Sequence, residues 1–228
     1  MTSLIAAAAF FVLLHLLVSG TALRGALVKV MGEGAYMGLF SLASVAGIVW
    51  LSMAYGQAKG TGEILWDLGQ GARHGVVALQ LLALLLIVPG LTTPNPTSVR
   101  QEGVLDKADA VKGMLRITRH PFLWGVAIWA VGHLLVNGDQ PGAILFGSVL
   151  ALAVLGTFSI DAKRRGALGD KWTAFAAQTG NIPFAAILAG RQKLSIGEIG
   201  AWRLLLAVAV WGMLLWAHPL LFGVAPLG

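Results

Sequence analysis

The chain is 228 residues long, 57% hydrophobic and only 11% charged, with a mean hydropathy of +0.80 and a formal net charge of +6. Soluble domains average about 25% charged residues, so this composition excludes an ordinary soluble domain and indicates an all-α integral membrane protein built as one helical domain. The absence of cysteine excludes disulfides and thiolate metal sites, which leaves His or oxygen ligands for any metal.

The positive charge does not indicate nucleic acid, because the basic residues sit in loops between apolar runs, where they orient a chain in a bilayer. A span needs roughly 20 mainly apolar residues. Six runs qualify: Leu4–Leu23, Tyr36–Tyr55, His74–Leu91, Pro121–Asn137, Ala143–Ile160 and Ala201–Phe222. The first is expected to be retained as a span, since MTSLI lacks the Lys or Arg of a signal-peptide n-region. Of the 16 Lys and Arg residues, all but Lys59 and Arg73 fall in the loops after spans one, three and five, or at the edge of span six. By the positive-inside rule both termini face away from the cytoplasm.

Two of the basic loops carry helical periodicity. Val104, Ala108, Val111 and Leu115 fall on one face with Lys107, Lys112, Arg116 and Arg119 on others, which predicts a helix lying in the membrane interface. Leu168, Trp172 and Phe175 repeat the pattern after Lys163–Arg165, and Asn181-Ile182-Pro183 ends that helix. These loops form either a headgroup-binding surface or a mouth for a ligand.

The stretch Arg116 to His133, RITRHPFLWGVAIWAVGH, begins in a basic cluster and ends on a histidine deep among apolar residues. An ionisable side chain at such a depth marks a candidate functional site. His15 occupies a comparable place in the first span, and counting from the span edges puts the two about 5 Å apart in depth. Rings on facing helices at similar depth suit the two faces of haem b; otherwise each hydrogen-bonds a neighbouring helix. Trp129 lies one turn before His133, and Gly125, Gly132, Ser19 and Ala22 are small enough to make room for a cofactor. His74 beside Arg73 is either a propionate partner on the outer side or an interfacial residue; Arg24 and Arg119 are the rival partners on the inner side. His120 lies roughly 20 Å along the helix from His133, so these two do not share a metal. His218, before Pro219, reads as a solvated helix-end residue.

ITRHPFLWG, the loop DAKRRGALGDKWTAFAAQTGNIPFAAILAGR and the AHPLLFG end resemble the NnrU family of bacterial membrane proteins over nearly the whole chain. The resemblance implies one NnrU-like transmembrane domain over residues 1–228, a multi-pass place in the bacterial inner (cytoplasmic) membrane with both termini periplasmic, and a link to denitrification and nitric oxide. The chain is also similar to zeta-carotene isomerase, which implies a haem b enzyme acting on a central cis double bond of a polyene. In that relative one iron-holding histidine precedes a Ser-Gly pair and a basic residue, matching His15 with Ser19, Gly20 and Arg24. The other follows RHP on a later span, matching His133. Where some isomerases carry a cysteine three residues before this ligand, the chain has Ala130.

The resemblance therefore implies a haem b protein with His15 and His133 as metal ligands and Trp129, Gly132, Ser19, Arg73, His74, Arg119 and His120 among the cofactor-binding residues. Two imidazoles saturate the iron, so one bond must open on reduction or nitric oxide binding. The expected activity is redox-gated cis-trans isomerisation of an apolar polyene-like substrate, or chemistry linked to nitric oxide. The expected surroundings are a lipid bilayer and an apolar small molecule or nitric oxide, not nucleic acid. One alternative is a cofactor-free assembly partner for denitrification enzymes. The other is an S-adenosylmethionine-dependent enzyme, since Arg119-His120-Pro121 and Asp161 also resemble the isoprenylcysteine methyltransferases.

Overall fold

A computed structural model describes residues 1–107 and 109–227. Among them no β-strand forms, and Ile64 and Asp139 make a single isolated bridge. Helix is the expected outcome, since apolar segments in lipid must satisfy their own backbone groups.

α1 (Thr2–Leu13) continues into a π turn at Leu14–Val18, where the Ser19 N–H donates to the Leu14 carbonyl five residues back at 3.1 Å. Thr21 then takes an extended backbone and its hydroxyl accepts from the Leu23 N–H, capping α2 (Ala22–Met31). The chain bends by 81° between the π turn and α2. A Cβ on Gly20 would lie 2.0 Å from the Leu16 carbonyl oxygen, so the bend requires glycine there. The first apolar helix consequently ends at Gly20 and not at Leu23 as the hydropathy predicts.

α3 (Glu33–Ala58), α4 (Gly69–Thr92), α7 (Gln140–Gln178) and α9 (Ala201–Phe222) are each long and apolar enough to cross a membrane. The bent α1–α2 pair also qualifies, while α6 (Pro121–Val136) has only 16 residues. Short helices α5 (Met114–Ile117) and α8 (Ala185–Leu188) lie in the basic loops. The long helices follow the neighbour order α3, α1, α7, α6, α4, α9.

Small residues set the α4–α6 seam. A Cβ on Gly125 would sit 2.8 Å from the Ala83 carbonyl oxygen, and one on Gly90 2.7 Å from the Phe122 nitrogen. Such close backbone approach is how helices associate where lipid removes the hydrophobic drive between them. α6 starts with Pro121 at its first position, and Asp139 caps α7 by accepting from the Gly142 N–H at 2.8 Å. Outward faces are apolar and bare: Leu39, Leu42, Val45 and Met53 on α3, and Leu205, Met213 and Trp216 on α9, are each more than half exposed. Apolar surface on that scale requires lipid against it.

The basic loops depart from the expected pattern. Residues Glu102–Asp106 form a single 3-10 turn and α5 begins only at Met114, so the predicted interfacial helix from Val104 to Leu115 does not form; Ala108 lies outside the described residues. Leu105, Val111 and Leu115 instead pack on Trp172 and Phe175 from α7, and that burial does not require them to share a helical face. Trp172 and Phe175 are helical as predicted, because α7 runs past Ile160 to Gln178, interrupted only at Gly169 with φ +52°. Their face is buried against protein at 0% and 3% exposure, so they are not lipid-surface anchors.

Candidate functional site

Two polar features interrupt the apolar bundle. The deeper one consists of His15 and His133. The His15 Nδ1 lies 2.8 Å from the Phe11 carbonyl and the His133 Nδ1 2.9 Å from the Trp129 carbonyl, each four residues back on its own helix. A carbonyl only accepts, so both rings are Nδ1–H tautomers and both keep the Nε2 lone pair available for a metal. Neither Nε2 has a hydrogen-bond partner among the described residues. Aromatic rings enclose both: Phe11 and Phe40 at 4.5 and 5.2 Å from His15, and Trp129 and Phe146 at 4.5 and 4.9 Å from His133. Trp129 thus contacts His133 with its ring as well as its carbonyl, and Phe146 supplies a stacked face that the sequence pattern does not point to.

The helix register revises the depth of the pair. Gly20 abuts Ser159, which sets His15 level with residue 154 of α7, while His133 stacks on Phe146. The α-carbons therefore differ by eight residues of rise, about 12 Å, and not about 5 Å, because the first span ends at the Gly20 bend. α1 and α6 run antiparallel, and each ring leans toward its own N-terminus, so the two rings lean toward each other in depth.

The small residues serve different ends from those expected. A Cβ on Gly132 would lie 2.1 Å from the Gln80 Nε2, and one on Gly125 2.6 Å from the Ile87 Cγ1. Both glycines let α4 close on α6, leaving no room there for a cofactor. The Ser19 carbonyl accepts from the Lys163 ammonium at 3.0 Å, joining α1 to α7. Arg73 and His74 are exposed at the start of α4, where Arg73 lines a small crevice with Trp66 and Asp67.

One group near His15 escapes sequence reading. Tyr36 is 4% exposed and its hydroxyl is buried with no hydrogen-bond partner. Its ring stacks on Phe40 at 5.9 Å, and Phe40 in turn meets His15 edge-on. The Arg24 guanidinium lies 5.5 Å from the Tyr36 ring and pairs with Glu33 at 2.8 Å. The signal was a tyrosine at the start of an apolar run, which by itself indicates only an interfacial residue.

The second feature is a buried network around Asp161, past the apolar half of α7. Its carboxylate accepts from the Arg119 Nε at 2.9 and 3.1 Å, from the Arg119 Nη2, from the His120 Nε2 at 2.7 Å and from the Asn181 Nδ2 at 2.9 Å. Arg119 is 8% exposed and also reaches the Thr179 carbonyl at 3.3 Å and the Trp172 ring at 5.9 Å. Burial holds the His120 pKa below its ordinary value, against the opposing pull of Asp161, so the imidazole is neutral and donates. The Asn181 carbonyl accepts from Thr118 at 2.5 Å and from the Trp124 indole at 2.8 Å. Arg119 and His120 thus both donate to Asp161 in this structure. A lone acid after a long apolar run was the available signal, since an acid in that setting needs partners.

Together these features define a polytopic helical membrane protein with two deep histidines whose Nε2 atoms have no hydrogen-bond partner among the described residues. The chain matches the NnrU protein family over residues 3–226 and belongs to it. It is also similar to two curated proteins named 15-cis-zeta-carotene isomerase, chloroplastic. That of Zea mays is 26% identical and that of Arabidopsis thaliana 25% identical, each over 171 residues, which is 73% of this chain. The match covers 45% of either relative, so the chain spans about half their length. No solved structure matches.

Proposed function

We propose that this protein is a haem b-binding isomerase of a bacterial inner membrane, acting on the geometry of a double bond in an apolar polyene. The reading rests on the relation to two isomerases of a cis-carotene, and the observation that carries it is the paired tautomers of His15 and His133. Each ring is oriented by a carbonyl of its own helix at Nδ1, which leaves Nε2 as the nitrogen for a metal, an arrangement common among metal-ligating histidines. The π turn under His15 fits as well, since such turns recur at functional sites.

The donor set fits a porphyrin better than a metal held by protein alone. Among the described residues no three His, Asp or Glu side chains converge, so two histidines need a ligand that brings further donors of its own. The buried Tyr36 hydroxyl, which has no hydrogen-bond partner among the described residues and has Arg24 beside its ring, supports the same group, because a propionate would accept from it. If bound, haem would be held by His15 and His133 and would supply an iron Lewis acid able to act on an alkene or a diatomic molecule such as nitric oxide. The protein's own contribution is to hold the two imidazoles by their Nδ1 contacts and to shield them from water. Phe11, Phe40, Trp129 and Phe146 do the latter, and their ring faces are also suited to an apolar polyene.

The test is an optical spectrum of the detergent-purified protein expressed with ample haem, oxidised and dithionite-reduced, with a pyridine haemochrome assay. The expected result is a six-coordinate low-spin b-type spectrum at one haem per chain, lost or converted in both His15→Ala and His133→Ala. An unchanged spectrum in either variant, or no haem in the wild type, overturns the assignment. Conversion of a cis-polyene by the loaded protein in vesicles, followed by its absorption shift, tests the isomerase step separately.

A further inference from the structure

The loop after α4 has a chemistry that neither the histidine pair nor the Asp161 network uses. A groove of about 400 Å³ opens between the end of α4 and the Glu102–Asp106 turn, lined by Leu91, Thr92, Thr93, Arg100, Gln101 and Lys107 among others. Its lining is divided. Leu91 is 65% exposed at the end of a membrane-crossing helix, while the two threonines, Gln101 and both cations supply the polar part.

The charges around it are arranged to leave this groove positive. The loop's three acids are each taken by a partner other than Arg100 and Lys107: Glu102 by Arg164, Asp106 by Lys171 at 2.6 Å and Asp109 by Lys112 at 2.5 Å. Arg116, Arg119 and Arg203 are likewise held, by Glu198, Asp161 and the Thr92 and Ile199 carbonyls. The side chains of Arg100 and Lys107, the two cations that line the groove, have no hydrogen bond or ion pair among the described residues. Arg100 has φ +60°, a left-handed conformation that is costly for a non-glycine residue and is found where function requires it.

We propose that this groove is a binding site for one anionic phospholipid, with the phosphate held by Arg100 and Lys107 and the glycerol region by Thr93 and Gln101. Leu91 and the lipid-facing side of α4 below it receive an acyl chain. A free phosphate would have no use for that apolar continuation, so the occupant is an amphiphile. The site is independent of haem and of the isomerase reading.

The experiment is native mass spectrometry of the full chain, released from micelles doped with phosphatidylglycerol or with phosphatidylcholine. Near a membrane surface each cation contributes about fivefold to anionic lipid affinity, so Arg100→Gln with Lys107→Gln is expected to weaken retention of one phosphatidylglycerol by roughly 30-fold. Phosphatidylcholine should be retained by neither form. As a control, Arg165→Gln with Lys193→Gln removes two cations elsewhere on the same side and should leave retention unchanged. Equal loss in the control pair, or no loss in the groove pair, overturns the site. Displacement of the lipid by millimolar inorganic phosphate overturns the amphiphile assignment. All residues changed are exposed, and a thermal melt equal to the wild type's confirms that each variant is folded.

Discussion

Asp161 is reached by Arg119, His120 and Asn181 from three separate stretches of chain, so its charge determines whether a buried guanidinium has a partner. Asp161→Asn keeps the shape of the side chain and removes the charge. Breaking a buried pair from one side costs about 3–5 kcal/mol, because the remaining ion is left uncompensated. The expected outcome is a correspondingly lower unfolding midpoint in detergent, followed by circular dichroism, with the helical baseline before unfolding unchanged. A loss below about 1 kcal/mol would mean that Arg119 is solvated in the folded protein, as surface pairs are. At this scale the sequence was partly readable. His15 and His133 stand out as ionisable groups in apolar runs, but a hydrogen bond to the fourth residue back is a matter of rotamer, and no residue pattern encodes it. Tyr36 gives no signal at all, since an orphaned hydroxyl exists only once Phe40 and Arg24 are in place around it.

Elements in the basic region are held by single clasps between distant segments. Glu198 accepts from the Arg116 Nε at 2.7 Å and Nη2 at 2.9 Å and from the Gly113 N–H at 2.9 Å, tying the start of α5 to the turn before α9. Arg116, and after it the Gly113 amide, holds the Glu198 carboxyl down at about 2, against an ordinary value of 4.5. A carboxylate depressed on folding stabilises the protein above its unfolded pKa, and that contribution is lost as pH falls through the folded value. The stability the clasp contributes should therefore be complete at pH 5 and fall between pH 4.5 and about 2, while in the folded protein the clasp itself is half open only near pH 2. Carboxyl carbon NMR of Glu198 checks this directly: a midpoint near 2 is expected for the wild type, moving up toward 4.5 in Arg116→Gln. A wild-type midpoint already near 4.5 would remove the clasp from the solution structure. The helical spacing of Trp172 and Phe175 was legible because both lie in the helical part of α7 that follows the break at Gly169, whereas Leu168 lies before that break and joins them by packing. The same period misled between Val104 and Leu115, where apolar spacing reflects burial on Trp172 rather than a helix of its own.

At the scale of the molecule, the segregation of basic residues and the hydropathy of α3, α4, α7 and α9 were both readable, because a bilayer acts on long averages of sequence. The bend at Gly20 and the short α6 were not, since both depend on close approach between helices. α6 spans about 24 Å by its 16 residues, less than the roughly 30 Å of a hydrocarbon core. Contacts between loops nevertheless fix its two ends. Beyond its C-terminal end, the Gly138 carbonyl accepts from the Leu65 and Trp66 N–H groups at 2.7 and 3.2 Å, placing that turn beside the loop before α4. Just before its N-terminal end, Arg119 donates its N–H to the Gly180 carbonyl at 2.9 Å, among the basic loops where α4 also finishes. α6 together with the loop residues at its two ends thus links the same two regions as α4, a 24-residue helix about 36 Å long. If α4 crosses the membrane, so does α6, and the residues on either side of it are separated by the bilayer. The absence of cysteine makes this directly measurable, because any introduced thiol is the only one in the chain. Gln70→Cys and Asn137→Cys should react with a membrane-impermeant maleimide from one side of intact vesicles, and Lys193→Cys only from the other. Labelling of Asn137→Cys and Lys193→Cys from the same side would mean that α7, which lies between them, does not cross, and the contact of Arg119 with Gly180 would then put both ends of α6 on that one face as well.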